Sequence, residues 1–142
     1  MTNPLTTKDL GENQDFQQTW KAMTDFTQSR TDNTADELWL LEHAPVFTLG
    51  QAGDPSHVLN AHDIPLVKTD RGGQVTYHGP GQIILYVLLN LKENQLGIRS
   101  LVSLLEDAVI DVAKIYGVTA IGKPDMPGVY VNDKKIASIG LR

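Results

Sequence analysis

The sequence predicts an α+β domain built on a mostly antiparallel or mixed sheet with flanking helices. Three observations predict it. Two segments carry apolar residues at helical spacing, a series of short runs has strand character, and the two kinds do not alternate strictly, which a doubly wound parallel sheet would require.

The first helix is predicted over residues 15–30, DFQQTWKAMTDFTQSR, where Phe16, Trp20, Met23 and Phe26 form one apolar stripe on a polar segment. Those aromatics read as packing residues. Strand runs follow at 37–43 (ELWLLEH), 45–50 (PVFTLG), 64–69 (IPLVKT), 74–78 (QVTYH) and 83–91 (IILYVLLNL), separated by turn-forming clusters at Gln51, Asp70 and His78. From Gly97 to Tyr116, Ile98, Leu101, Val102, Leu105, Ala108, Val109, Val112 and Ile115 repeat at three and four, and Gly117 stands where a left-handed C-terminal residue is expected. Three further strands are predicted at 118–122, 128–132 and 134–142, the last two joined by a tight turn at Asn132-Asp133. The chain reaches Arg142 inside that last run with no turn, cap or polar tail, so residues 1–142 are expected to be one partial domain.

At 142 residues, with 41% hydrophobic and 20% charged residues, the composition is that of a globular chain. The N-terminus has neither a basic segment nor an apolar one, and the longest apolar run, Ile83 to Leu89, is too short to span a bilayer. No cysteine is present, which excludes disulfides, thiolate zinc sites and thiol catalysis within these residues. A cytoplasmic address is expected, with no membrane or nucleic-acid partner. Charge is uneven: residues 1–63 hold ten acids and three bases, residues 64–142 seven acids and nine bases. The basic second half can steer an acidic partner.

Chemistry concentrates in Arg71-Gly-Gly-Gln-Val-Thr-Tyr-His-Gly-Pro-Gly-Gln82, where glycines flank an alternating polar strand. Such glycines let the backbone approach a ligand and present N–H groups to a carbonyl oxygen or anion, although an ordinary hairpin between core strands has the same spacing. The segment has neither the GK[ST] of a phosphate loop nor dinucleotide-site spacing. His43, His57, His62 and His78 lack metal-site spacing, so no metal is expected. His78, at a strand end, reads as a donor to substrate or as a core histidine. Lys134 and Lys135 sit on opposite faces of a strand, so one must face inward beside small apolar neighbours, Ala137 and Ile139, that would desolvate it; the other reading is an edge-strand lysine.

Taken with GluHisAlaProValPheThrLeuGly (42–50), ProGlyValTyrVal (127–131) and LysIleAlaSerIleGlyLeuArg (135–142), the RGGQVTYHGPGQ block resembles the lipoyl(octanoyl) transferases. That resemblance implies the catalytic fold of biotin and lipoate protein ligases. It implies transfer of an octanoyl group from octanoyl-acyl carrier protein to a lysine of lipoyl domains, those of 2-oxoacid dehydrogenases and of the glycine cleavage H protein, with no cofactor. It places Arg71, Gly72, Gly73, Gln74, Val75, Thr76, Tyr77 and His78 along the substrate pocket, completed by Ser138, Ile139 and Gly140. It gives Lys135 the task of lowering the pKa of a nucleophilic cysteine that the family carries downstream of KIASIGLR. An acidic carrier protein would then meet basic residues such as Lys68, Lys92, Arg99 and Lys123. Two alternatives are an ATP-dependent lipoate or biotin ligase relative, which would carry Asp-x-Gly-Asn where Gly79-Pro-Gly-Gln82 stands, and a binding fragment without catalysis.

Overall fold

The computed structural model describes residues 4–142. They divide into two compact units, one running through Asn94 and including Arg142, the other Gln95–Leu141.

In the first unit, β1 (Leu5–Gln14) precedes α1 (Phe16–Ser29), and then come β2 (Asp36–His43), β3 (Val46–Leu49), a single 3₁₀ turn, β4 (Leu66–Lys68), β5 (Val75–His78) and β6 (Ile84–Leu88). Two three-stranded mixed sheets result. One has the order β1-β2-β6, with β1 parallel and β6 antiparallel to β2. The other has the order β4-β3-β5, again with one parallel and one antiparallel pair. The α1 helix starts where Asp15 caps it, its carboxylate accepting from the Gln18 N–H at 2.8 Å. Phe16, Trp20, Met23 and Phe26 are all half-buried, as their spacing requires, and Phe26 meets the Trp39 ring edge-on at 6.2 Å.

Strand β1 was not legible as a strand. Its burial is almost uniformly exposed, so LTTKDLGENQ carries no alternating apolar signal, and it exists because its backbone completes the β2 ladder. Asp9/Gly11 and Gly11/Gln14 register shifts break the ladder where Gly11 and Asn13 take positive φ.

A buried ion pair joins the ends of these elements. Asp36, 1% exposed, pairs with Arg30 and accepts from the Asn90 N–H at 2.8 Å and from the Asn94 side-chain amide. Arg30 also donates to the Leu88 carbonyl at 2.9 Å and lies over the Phe26 ring.

The second unit holds α2 (Ile98–Ile115) and an antiparallel meander of β7 (Ile121–Lys123), β8 (Met126–Val131) and β9 (Lys134–Ala137). The expected helix end is present: Gly117 has φ +72, its N–H donates to the Lys114 carbonyl, and the Val118 N–H reaches back to Ala113. The helix buries Leu101, half-buries Val102, Leu105 and Val109, and leaves Ile115 80% exposed. Asn132 and Asp133 both take positive φ, the backbone that a two-residue hairpin with the right twist needs. The last strand is shorter than its sequence pattern, since β9 stops at Ala137 and leaves Ser138, Ile139 and Gly140 outside the sheet.

Among the described residues no helix is long and apolar enough to cross a membrane, and no three His, Asp or Glu side chains converge as metal ligands.

Candidate active site

The RGGQVTYHGPGQ segment begins as a loop and becomes β5, pairing Val75 with Leu49 and His78 with Val46. Its loop is fastened from within. Arg71 donates through Nη2 to the Thr48 carbonyl (2.9 Å), the Thr48 hydroxyl (2.7 Å) and the Gln74 carbonyl (2.9 Å), and through Nη1 to the Gly72 carbonyl (2.8 Å). The guanidinium is thus occupied with the chain's own oxygens, and the loop is tied to buried Thr48 of β3. Two glycines make this possible. Gly73 adopts φ +85, and a Cβ at Gly50 would stand 2.2 Å from the Gly73 carbonyl oxygen and 2.9 Å from that of Gly72. Among the described residues the N–H groups of Gly72 and Gly73 meet no acceptor, which leaves them available to an oxyanion. Because backbone rather than a flexible side chain blocks the space, Gly50→Ala is expected to displace the loop and cost about 1–3 kcal/mol. Thermal denaturation checks it, with Gly72→Ala, which has open space around its Cβ position, as the milder comparison.

Behind β5 lies an aromatic cluster. His43 of β2 is fully buried, its Nδ1–H donating to the Gln14 carbonyl at 3.0 Å and its Nε2 accepting from the Tyr86 hydroxyl at 2.7 Å. Burial pushes its pKa down and pushes that of Tyr86 up, so both stay neutral. His78 stacks on Phe16 with centroids 6.4 Å apart and planes at 10°, and lies 6.0 Å from His43. Its Nδ1 is 2.6 Å from Gln82 Oε1. Desolvation lowers the His78 pKa, and His43 and Arg71 lower it further against the bond to Gln82, which raises it. The Gly79–Gln82 turn is held by Glu42, whose carboxylate accepts from the Gly81 N–H at 2.8 Å.

Val75 and Thr76 are half-buried in the ladder, Tyr77 packs on Phe47 with centroids 5.4 Å apart while remaining 43% exposed, and Gln74 bonds His57 through its side chain. Two clefts indent this unit. A smaller one of about 90 Å³ is lined by residues that include Phe16, Val46 and Val67, and a wider one of about 240 Å³ is lined by residues that include Leu40, Leu41 and Ile83 with the acidic Asp9, Glu12 and Glu42. No residue from Arg71 to His78 lines either.

In the second unit both Lys134 and Lys135 are exposed, so the expectation that one of them faces inward and is desolvated by Ala137 and Ile139 is corrected. The reason is that β9 is a four-residue edge strand: Lys134 and Lys135 alternate opposite Val131 and Tyr130 of β8, but neither face of the strand is covered there. Lys135 instead lays its stem across Gly128, where an added Cβ would meet Lys135 Cε at 3.2 Å, and brings its ammonium to 5.6 Å from the buried Tyr130 ring. Gly128 has φ +132 and donates its N–H to Glu106 of α2 at 2.9 Å. Ser138 and Gly140 are exposed and Ile139 half-buried. Lys123 is engaged locally, paired with Asp133 at 2.9 Å.

Sequence reasoning did not single out Thr48, Gly50 or Tyr86 as individual site residues; it took Phe16 as a packing residue and Gln82 as the end of the glycine-flanked motif, and it weighed His43 as a metal ligand and otherwise only as part of the 42–50 block. A buried histidine bonded at both nitrogens leaves no mark in a sequence; the glycine ending PVFTLG was the one available signal.

An α+β chain of this topology, with a glycine loop pinned to a mixed sheet, has the fold of the lipoate protein ligases. It superposes on the bipartite lipoate protein ligase of Thermoplasma acidophilum with a TM-score of 0.64 at 18% identity, covering 93% of this chain and 52% of that one. Against a lipoate-protein ligase A bound with ATP the TM-score is 0.60 at 16% identity, covering 96% and 59%. The family profile of the lipoyl protein ligase A/B catalytic domain matches residues 15–142, and the chain belongs to that family. Curated relatives are closer in sequence. An octanoyltransferase of Vibrio campbellii is 55% identical over the whole chain, which spans 64% of that protein, and one of Methylococcus capsulatus is 58% identical over 90% of the chain and 62% of its own length.

Proposed function

We propose that this chain is the larger part of an octanoyltransferase, and that its two units belong to one catalytic domain of the biotin and lipoate ligase type. Identity of 55% over all 142 residues to an octanoyltransferase is the observation that carries the reading. In it, a thiolate attacks the octanoyl thioester of acyl carrier protein, the new C–S bond forms as the carrier's C–S bond breaks, and the carrier leaves as its thiolate. The amine of a lysine on a lipoyl domain, of a 2-oxoacid dehydrogenase or the H protein, then forms a C–N bond to the acyl carbon and expels the enzyme thiolate. Splitting one difficult exchange into two is the use of a covalent intermediate.

The 142 residues contain no cysteine, so the thiol of this reading is the one that the family carries beyond KIASIGLR. Lys135, exposed with its stem held over Gly128 and Tyr130, is the cation that favours the thiolate. Gly72 and Gly73 offer free N–H groups to the oxyanion, and Gln74, Val75, Thr76, Tyr77 and His78 with Ser138, Ile139 and Gly140 are its remaining substrate contacts. Arg71 contributes by holding the loop. The reading needs no cofactor and a cytoplasmic setting. An ATP-dependent ligase is disfavoured by Gly79-Pro-Gly-Gln82, whose turn is spent on Glu42 and His78.

The experiment continues the chain to the relatives' length and mixes it with octanoyl-acyl carrier protein and a lipoyl domain without ATP. Mass spectrometry should show one octanoyl group on the acceptor lysine. Transfer that appears only with ATP and free octanoate would make the protein a ligase.

A further inference from the structure

We propose that His78 is the proton acceptor for the attacking lysine amine, with Gln82 as its positioning residue. This rests on the transferase reading and gives it a group for the second half of the reaction.

Two imidazoles stand 6.0 Å apart in the cluster, and they are not equivalent. His43 has both nitrogens bonded and no exposed surface, so it can neither take nor give a proton without breaking a buried bond. His78 has one nitrogen bonded. The amide oxygen of Gln82 can only accept, so Nδ1 carries the hydrogen and Nε2 carries the lone pair. Among the described residues no hydrogen bond engages that Nε2, and the residue is only half-buried. The sequence left His78 as a donor to substrate or a core histidine; with Nδ1 given to Gln82, the nitrogen that remains is an acceptor.

The ring is also held in place. Phe16 stacks on it, and Gln82 is returned to it by a turn closed by its own N–H to the Gly79 carbonyl at 3.1 Å and by Gly81 on Glu42. Charged and titratable groups around it are His43 and Glu42 from β2, Tyr86 from β6, Arg71 from the loop before β5, and Asp15, which caps α1. Burial, His43 and Arg71 all disfavour the imidazolium, so the ring rests in the neutral form that a proton acceptor needs.

The step balances without another reagent. Once the lysine nitrogen has bonded to the thioester carbon, the carbonyl pair resides on oxygen and the nitrogen holds one proton more than an amide keeps. That proton passes to His78 Nε2, the oxygen pair restores the carbonyl, the C–S bond breaks, and the imidazolium returns the proton to the departing thiolate. Loading of the acyl group onto a thiolate needs no such acceptor.

The half-reactions therefore separate the role. In the protein continued to the relatives' length, His78→Asn keeps an amide N–H near the Nδ1 position and should slow transfer to a lipoyl domain by about 100-fold, roughly tenfold or more beyond any slowing of loading from octanoyl-acyl carrier protein. Added imidazole should restore part of the transfer. Gln82→Met should slow transfer about tenfold and move the acidic limb of its pH profile down, because the bond that raises the His78 pKa is gone; in the unaltered protein that limb should already lie below 6.5. Unchanged transfer in His78→Asn, or loading and transfer lost together, overturns the proposal. Nitrogen-15 NMR of the 142-residue chain tests the geometry independently of any activity: a protonated Nδ1 supports it and a protonated Nε2 overturns it. A protein with the Nδ1–H form that takes no octanoyl group at all would instead remove the transferase reading, and this step with it.

Discussion

Asp36→Ala is expected to destabilise the first unit by about 3–5 kcal/mol, the cost of leaving a buried charge without its partner. The carboxylate has almost no exposed surface and satisfies three separate pieces of chain: Arg30 just after α1, the backbone of Asn90 and the side chain of Asn94 beyond β6. Without it Arg30 keeps its bond to the Leu88 carbonyl but retains a positive charge that is only 14% exposed. The double replacement Arg30→Met with Asp36→Leu should recover part of the loss, since it removes both desolvated charges together. Chemical denaturation of the unaltered protein, Arg30→Met, Asp36→Leu and the double variant checks the cycle.

The pair also sets an acid limit. Burial raises the Asp36 pKa, but its bonds from Arg30, Asn90 and Asn94 outweigh this and hold it below the ordinary 3.8. A carboxylate with a lowered folded pKa stabilises above its unfolded value and loses that contribution as pH falls through the folded one. Below about pH 3.8 the unaltered protein should therefore lose stability more steeply than Asp36→Ala.

Lys135→Met, in the protein continued to the relatives' length, should slow acyl loading roughly 20-fold at pH 7, because a thiol near its free pKa of about 8.5 is only a few per cent thiolate there. Methionine keeps the unbranched stem that lies over Gly128 and Tyr130 and removes the charge. Raising the pH to about 9 should restore most of the loading rate, which a variant with a disturbed strand would not show. Gly128→Ala offers a second approach: its Cβ would press on the Ala137 carbonyl at 2.6 Å and on the Lys135 stem, so it should displace the lysine without altering any charge.

Much of this architecture was legible because it is written in local patterns. The α2 repeat, its Gly117 stop and the Asn132-Asp133 turn depend on residues within a few positions of each other, and each was found where spacing put it. What depended on distant partners was not. Strand β1 is polar and owes its form to β2; the short β9 owes its exposure to an edge position. In the site, the glycines and His78 stood out by composition, whereas the fastening of Arg71 to Thr48 spans 23 residues and that of His43 to Tyr86 spans 43. The prominent arginine of the motif holds the loop, and Gln82, read in the sequence only as the end of the motif, bonds the histidine.

Mass spectrometry of the acyl-enzyme tests the central claim most directly. After mixing with octanoyl-acyl carrier protein alone, the protein continued to the relatives' length should gain one octanoyl mass that hydroxylamine removes, and the 142-residue chain, which has no cysteine, should gain none. A 142-residue chain that turns over many equivalents of donor, or an extended protein that transfers octanoyl groups without ever carrying a labile adduct, would contradict the account.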